Sequence, residues 1–95
     1  MKTLTLTNFI QEECKDPVFN QHFQRELLIN EIAKLVIQLR QKAKLTQQEL
    51  ADKAGTTQPV IARLESGSDR RVPSLELLAK LANATHVQLK IVIEA

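Results

Sequence analysis

The sequence is poor in the residues that build cross-linked, membrane-spanning or turn-rich proteins. One cysteine, Cys14, excludes a disulfide within the chain and fits a reducing compartment. Two glycines and three prolines in 95 residues favour helices over a β fold with many tight turns. No apolar run reaches the roughly 18 residues needed to cross a bilayer, and the start, MKTLTLTN, lacks the apolar stretch of a signal peptide. We therefore expect one cytoplasmic, mainly helical protein with no membrane association.

The sequence also lacks the residue clusters that would indicate catalysis. His22, His86 and Cys14 are far apart, and no acid pair, glycine-rich phosphate loop or metal-ligand spacing accompanies them. The sequence therefore predicts a protein that is not an enzyme and that needs neither a cofactor nor a metal.

Charge is distributed unevenly along the chain. Residues 1–30 carry three basic and four acidic side chains, whereas residues 31–95 carry ten basic and seven acidic ones. This basic excess permits binding to nucleic acid without establishing it.

The segment TQQELADKAGTTQPVIARLESG, residues 46–67, has the pattern of two short helices joined by a glycine turn. Thr46 and Glu49 have the spacing of a capping box, and Gly55 can adopt the left-handed backbone that ends a helix. Thr56 or Thr57 is expected to cap the second helix. The pattern predicts a helix-turn-helix whose second helix can enter the major groove of DNA.

The flanks of this segment predict further helices and one strand. Asp16 and Pro17 form a helix start, followed by an apolar stripe that one long helix, or two with a break near Asn30, would satisfy. Pro73 is expected to open another helix, ending near Asn83. Alternating apolar residues in the tail predict a half-buried strand.

Residues 31–83 resemble the Cro/C1-type (XRE) helix-turn-helix family, mainly through LTQQELADKAGTTQPVIARLESG. The resemblance implies an all-α, five-helix domain at residues 31–83. The pattern of the flanks adds a helical extension at residues 1–30 and a strand at residues 84–95. It also implies a DNA-binding surface in which Gln47 and the loop after the second helix contact phosphates and the start of that helix reads bases. The residues expected to bind DNA are Gln47, Thr56, Thr57, Gln58, Arg63, Ser68, Arg70 and Arg71.

The same resemblance implies a buried structural ion pair between Arg40 and Glu65. Two positions depart from the family pattern. Lys44 replaces a usual glycine, so its backbone is expected to be strained or the helix to end differently. Pro59 replaces a residue that often contacts a base, so the operator sequence cannot be inferred from relatives.

The flanks resemble those of HigA-type antitoxins, through the lead-in Asp16-Pro17-Val18-Phe19 and the PSLELL helix with its short β tail. This resemblance implies a dimer that represses its own operon and binds a RelE-like or HigB-like endonuclease toxin in a heterotetramer. The residues expected to contact the toxin are Phe9, Ile10, Phe19 and Phe23. The alternatives are a repressor without a toxin and a protein-bridging module that does not read DNA sequence.

The tail strand needs a partner for its backbone groups. A second copy of the same strand is the simplest one, forming an antiparallel ribbon across a two-fold axis. A toxin strand and Thr3–Thr7 of the same chain are the alternatives. The residues expected to form the dimer are Val87, Leu89, Ile91 and Ile93.

Overall fold

The computed structural model describes residues 2–7, 17–68 and 71–93. In chain order they form β1 (Lys2–Thr7), α1 (Pro17–Lys42), α2 (Gln47–Ala54), α3 (Gln58–Ser66), α4 (Leu75–Ala84) and β2 (Val87–Val92). Five residues named above, Phe9, Ile10, Cys14, Asp16 and Arg70, lie outside this part of the chain. No helix within it is both long enough and apolar enough to cross a membrane.

α1 is one helix of 26 residues that runs through Asn30 without a break. It begins at Pro17, as predicted, because a proline in the first helical position loses no hydrogen bond. Over residues 31–83 the described part of the chain contains four helices instead of the expected five, and α1 also provides the helical part of the extension.

The core lies where α1, α2, α3 and α4 meet. Ile32 and Val36 contribute the apolar face of α1, and Leu50, Ile61 and Leu81 contribute those of the other three helices. These five side chains are almost fully buried. Each aliphatic side chain removed from water in this way stabilises the fold by roughly 1.5–3 kcal/mol, so packing of these helices positions the helix-turn-helix.

α4 begins two residues later than predicted. Ser74 is its N-cap, and its hydroxyl accepts a hydrogen bond from the backbone N–H of Leu77 at 3.1 Å. Pro73 therefore precedes the cap and is not the first helical residue. Ser74 is the residue that starts the helix because its hydroxyl accepts a hydrogen bond from a free backbone N–H, which a proline side chain cannot do.

The flanks were predicted to form one strand, in the tail, but the described residues contain two strands, β1 and β2. β2 pairs in parallel with β1, in a register that sets Leu4 opposite Leu89 and Leu6 opposite Ile91. Of the partners considered, the structure has the one within the same chain. The reason is that the start of the chain also alternates apolar residues, at Leu4 and Leu6, and so supplies a strand of matching period.

The apolar residues of β2 differ in how far they are buried. Val87 is buried with Leu39 and Ala82, and Leu89 is half-buried beside them. Ile91 is 48% exposed and Ile93 is 82% exposed. Val87 is thus part of this chain's own core, whereas Ile91 and Ile93 keep apolar surface at the end of the strand.

Lys44 has the strained backbone that its departure from the family pattern predicts. Its φ is 58°, in the left-handed region. The N–H of Lys44 bonds to the carbonyl of Gln41, and the N–H of Leu45 bonds to the carbonyl of Arg40, each at 3.1 Å. These two bonds form the Schellman arrangement that ends a helix and normally favours glycine at this position.

We predict that Lys44→Gly raises the free energy of unfolding by about 1 kcal/mol, because glycine avoids the clash of Cβ in a left-handed backbone. Urea denaturation measures the change. The matched control is Lys44→Ala, which removes the exposed charge but keeps Cβ and should leave stability nearly unchanged. Equal stability of the glycine and alanine variants would contradict a left-handed backbone at residue 44.

Candidate nucleic-acid interface

Local hydrogen bonds determine where α2 starts and ends. The Thr46 hydroxyl accepts from the N–H of Glu49 at 3.1 Å, and the Glu49 carboxylate accepts from the N–H of Thr46 at 2.8 Å. This is the predicted capping box. Gly55 ends the helix with a φ of 72°, as predicted. The direction of the chain at the turn therefore follows from a few residues of sequence.

Small and apolar side chains bring α2 and α3 together. Leu50, Ala51 and Ile61 are fully buried, and Ala54 and Leu64 nearly so. Ala51 allows close approach of the two helices because its side chain is a single methyl group. Because these five side chains face inward, the opposite side of α3 is left to solvent.

A part-buried ion pair joins α1 to α3, between the two residues that the family resemblance implies. The Arg40 guanidinium donates to both carboxylate oxygens of Glu65, from Nε to Oε2 at 2.6 Å and from Nη2 to Oε1 at 3.1 Å. Its Nη1 donates to the carbonyl of Leu45 at 3.0 Å. The Glu65 side chain is 7% exposed and that of Arg40 is 21% exposed. The pair is therefore bidentate and largely removed from water.

The hydrogen bond to Glu65 raises the pKa of the Arg40 guanidinium, against an opposing effect of burial. A raised pKa in the folded state means that this stabilisation is present below the ordinary arginine pKa and is lost only above it. Arg40 is therefore charged over the whole physiological range.

The ion pair continues into a chain of side-chain hydrogen bonds that reaches the start of α3. Gln47 Nε2 donates to Glu65 Oε1 at 3.0 Å, and Gln58 Nε2 donates to Gln47 Oε1 at 2.7 Å. Because a carboxylate only accepts, Gln47 must present its amide nitrogen to Glu65 and its carbonyl to Gln58. Two residues predicted to bind DNA, Gln47 and Gln58, are thus brought together and oriented.

The outward side of α3 carries few polar groups. Thr57 is the N-cap but its hydroxyl makes no capping bond, contrary to expectation, and it is exposed. Pro59 and Arg63 are also exposed, and Ala62 is half-buried. Thr56, the alternative cap, lies in the turn and is half-buried.

The loop after α3 lies beside the same surface. The hydroxyls of Ser66 and Ser68 are 2.6 Å apart, and the Ser68 N–H donates to Ser66 Oγ at 3.2 Å. Arg71 lines a small cleft together with Arg63. The structure therefore brings two of the predicted cations, from α3 and from the loop, to the lining of one cleft.

The residues predicted to contact a toxin are described only in part. Phe23 on α1 is 40% exposed. Phe19 lies in α1, but its side chain is not among those described. Near Phe23 on α1, His22, Arg25 and Leu28 line an open groove with Val72 from the loop before α4. Sequence reasoning missed Val72, because its proximity to α1 depends on how the helices pack.

Within the described part of the chain, no three histidine, cysteine, aspartate or glutamate side chains lie close enough together to hold a metal ion. The side chains of Arg40, Glu65, Gln47 and Gln58 are instead joined to one another by hydrogen bonds.

The helix-turn-helix family model matches residues 36–92, which include α2, the turn and α3. The chain therefore belongs to the helix-turn-helix family, and the match supports a DNA-binding regulator of the XRE type. Multiprotein-bridging factor 1 of Candida albicans is 44% identical over 59 residues, which are 62% of this chain and 38% of that protein. The chain thus spans less than half the length of that relative. No solved structure matches the chain significantly.

We predict that Arg40→Ala lowers the free energy of unfolding by about 3 kcal/mol, because it leaves the Glu65 carboxylate buried without its cation. The control is Lys80→Ala, which removes an exposed ion pair of 3.5 Å with Glu76 and should cost less than about 0.5 kcal/mol. Thermal or urea unfolding compares the two variants. Equal losses would mean that the Arg40–Glu65 pair is no more important than a surface contact.

Proposed function

We propose that this protein is a DNA-binding transcription repressor that reads its operator with α3. The observation that carries the proposal is the oriented amide of Gln58, held by Gln47 at the start of α3. The side-chain carbonyl of Gln58 and the second N–H of its amide have no partner among the described residues. An amide with one donor and one acceptor available can bind the edge of adenine in the major groove.

The charges near α3 support contact with the DNA backbone. Arg63 is exposed on α3, and Arg71 lines the same small cleft from the following loop. Phosphate contacts by such cations position a protein on the duplex, while the base contacts select the sequence. Ser68 and Arg70 remain predicted contributors to this phosphate contact.

A dimer would place two copies of α3 in successive major grooves, about 34 Å apart. We propose that Ile91 and Ile93 contribute to this dimer, because they keep exposed apolar surface on β2. Since β1 occupies one edge of β2, an antiparallel ribbon between two copies would use the other edge. Two chains bound per operator duplex is the expected stoichiometry.

We predict that Gln58→Ala weakens binding to the DNA upstream of the protein's own gene by roughly five-fold or more, because a base contact is lost. Fluorescence anisotropy at several salt concentrations measures the affinity. The control is Gln48→Ala on α2, an exposed glutamine that bonds only within its helix, to Asp52. It should bind within two-fold of the unmodified protein.

Two results would contradict this proposal. One is equal affinity for operator and unrelated DNA, which would indicate backbone contact alone. The other is unchanged affinity of the Gln58→Ala variant, which would exclude the Gln58 amide as a base contact. Urea denaturation of both variants establishes that any loss is not due to unfolding.

A protein-bridging module is the second candidate, favoured by the name of the multiprotein-bridging relative. In that case the helix-turn-helix would join other proteins without reading a DNA sequence. The salt-dependent titration distinguishes the two functions, because a bridging module would show no preference for the upstream DNA.

The finer form of the proposal is an antitoxin that represses its own operon and binds a RelE-like toxin. Its support is the sequence lead-in Asp16-Pro17-Val18-Phe19 and the partial exposure of Phe23 on α1. Removing residues 1–25 would be a poor test, because it deletes β1, which pairs with β2. A single substitution on α1 leaves that sheet intact.

We predict that Phe23→Ala reduces co-purification of a RelE-like toxin encoded by the neighbouring gene, because an aromatic contact is lost from the interface. The matched control is Leu75→Ala, which truncates an exposed apolar side chain on α4 and should leave co-purification unchanged. Full retention of the toxin by the Phe23→Ala variant would contradict the predicted contact. If the unmodified protein binds no such toxin, the antitoxin proposal is wrong and the repressor without a toxin partner remains.

A further inference from the structure

The outward face of α3 presents apolar groups where a reading helix often carries polar ones. Pro59 is the second residue of α3 and is exposed. Ala62 lies three residues later and is half-buried. Residues three apart are neighbours on one side of a helix, so Pro59 and Ala62 place two apolar groups side by side on α3. Neither side chain can donate or accept a hydrogen bond.

The neighbouring polar groups leave these two apolar groups open. The amide of Gln58 is turned toward Gln47 by the bond of 2.7 Å between them. The inward side of α3 is occupied by Ile61 and Leu64, which are buried against the other helices. A partner that approaches α3 from solvent therefore meets Pro59 and Ala62 beside the Gln58 amide and the exposed Arg63.

The backbone at this position is rigid. The ring of Pro59 restricts its own φ, and at the second position of a helix its missing N–H costs no intrahelical bond. A rigid apolar group loses little conformational entropy when it is covered by a ligand. The two groups are thus suited to contact one small apolar group in a fixed place.

We propose that Pro59 and Ala62 recognise a thymine through its 5-methyl group. Thymine is the base that exposes a methyl group in the major groove, and contact with apolar side chains distinguishes it there. This inference rests on the proposed function, since it assumes that α3 enters the groove. It assigns Pro59 as a specificity-determining residue that acts by van der Waals contact.

The test uses the full chain and a duplex selected from random sequences for tight binding. Each thymine of that duplex is replaced in turn by deoxyuridine, which lacks only the methyl group. We expect a loss of affinity of about four-fold at one thymine in each half-site, the effect of leaving one methyl-sized group uncovered. Replacement at the other thymines should change affinity by less than two-fold.

The variant Pro59→Ser assigns the contact to this residue. It should bind the thymine and deoxyuridine duplexes equally at the sensitive position, because the apolar ring is gone. The control Ala79→Ser, on the exposed side of α4, should keep the four-fold preference. Thermal unfolding of both variants checks that they fold.

The outcomes separate this inference from the proposed function. If no duplex is selected over random DNA, the proposed function fails. If a duplex is selected but no thymine is sensitive to loss of its methyl group, recognition of thymine by α3 is wrong. If sensitivity persists in the Pro59→Ser variant, Pro59 does not make the contact.

Discussion

Glu65 is the residue on which the arrangement of the first three helices depends. Its carboxylate is nearly buried, and a buried carboxylate is stable only when its oxygens have partners. Arg40 supplies the charge from α1, and Gln47 supplies a further hydrogen bond from α2. Since Glu65 itself lies on α3, the requirement to satisfy one carboxylate holds three helices in a single relative position.

The same hydrogen bonds that satisfy Glu65 also prepare the surface of α3. Gln47 has no freedom to rotate its amide, and Gln58 in turn must donate to Gln47. A side chain that is oriented before its partner arrives loses less entropy on binding. In the proposed repressor, the ion pair and the base-reading amide are therefore parts of one network, in which the buried end stabilises the fold and the other end meets DNA.

Local features of the fold could be predicted from the sequence because they depend on residues close together in it. Thr46 and Glu49 cap α2, and Gly55 ends it, within a span of ten residues. Lys44 has the left-handed backbone expected where the family has glycine. The start of α4 was misjudged because Pro73 and Ser74 are adjacent helix-start signals, and sequence alone does not rank them. The pairing of Arg40 with Glu65 came from a family resemblance, since nothing in the spacing of two charges 25 residues apart requires contact.

The helix-turn-helix at residues 46–66 was determined by the sequence itself, through caps, a glycine turn and inward apolar positions that act over three or four residues. The tertiary structure alone decided the partner of β2. An alternating apolar strand can pair with any strand of the same period, so the choice of β1 depends on where the helices bring the two ends of the described chain. It also decided that Gln47 and Gln58 face each other, because their contact requires α2 and α3 to pack at one angle over Ala51.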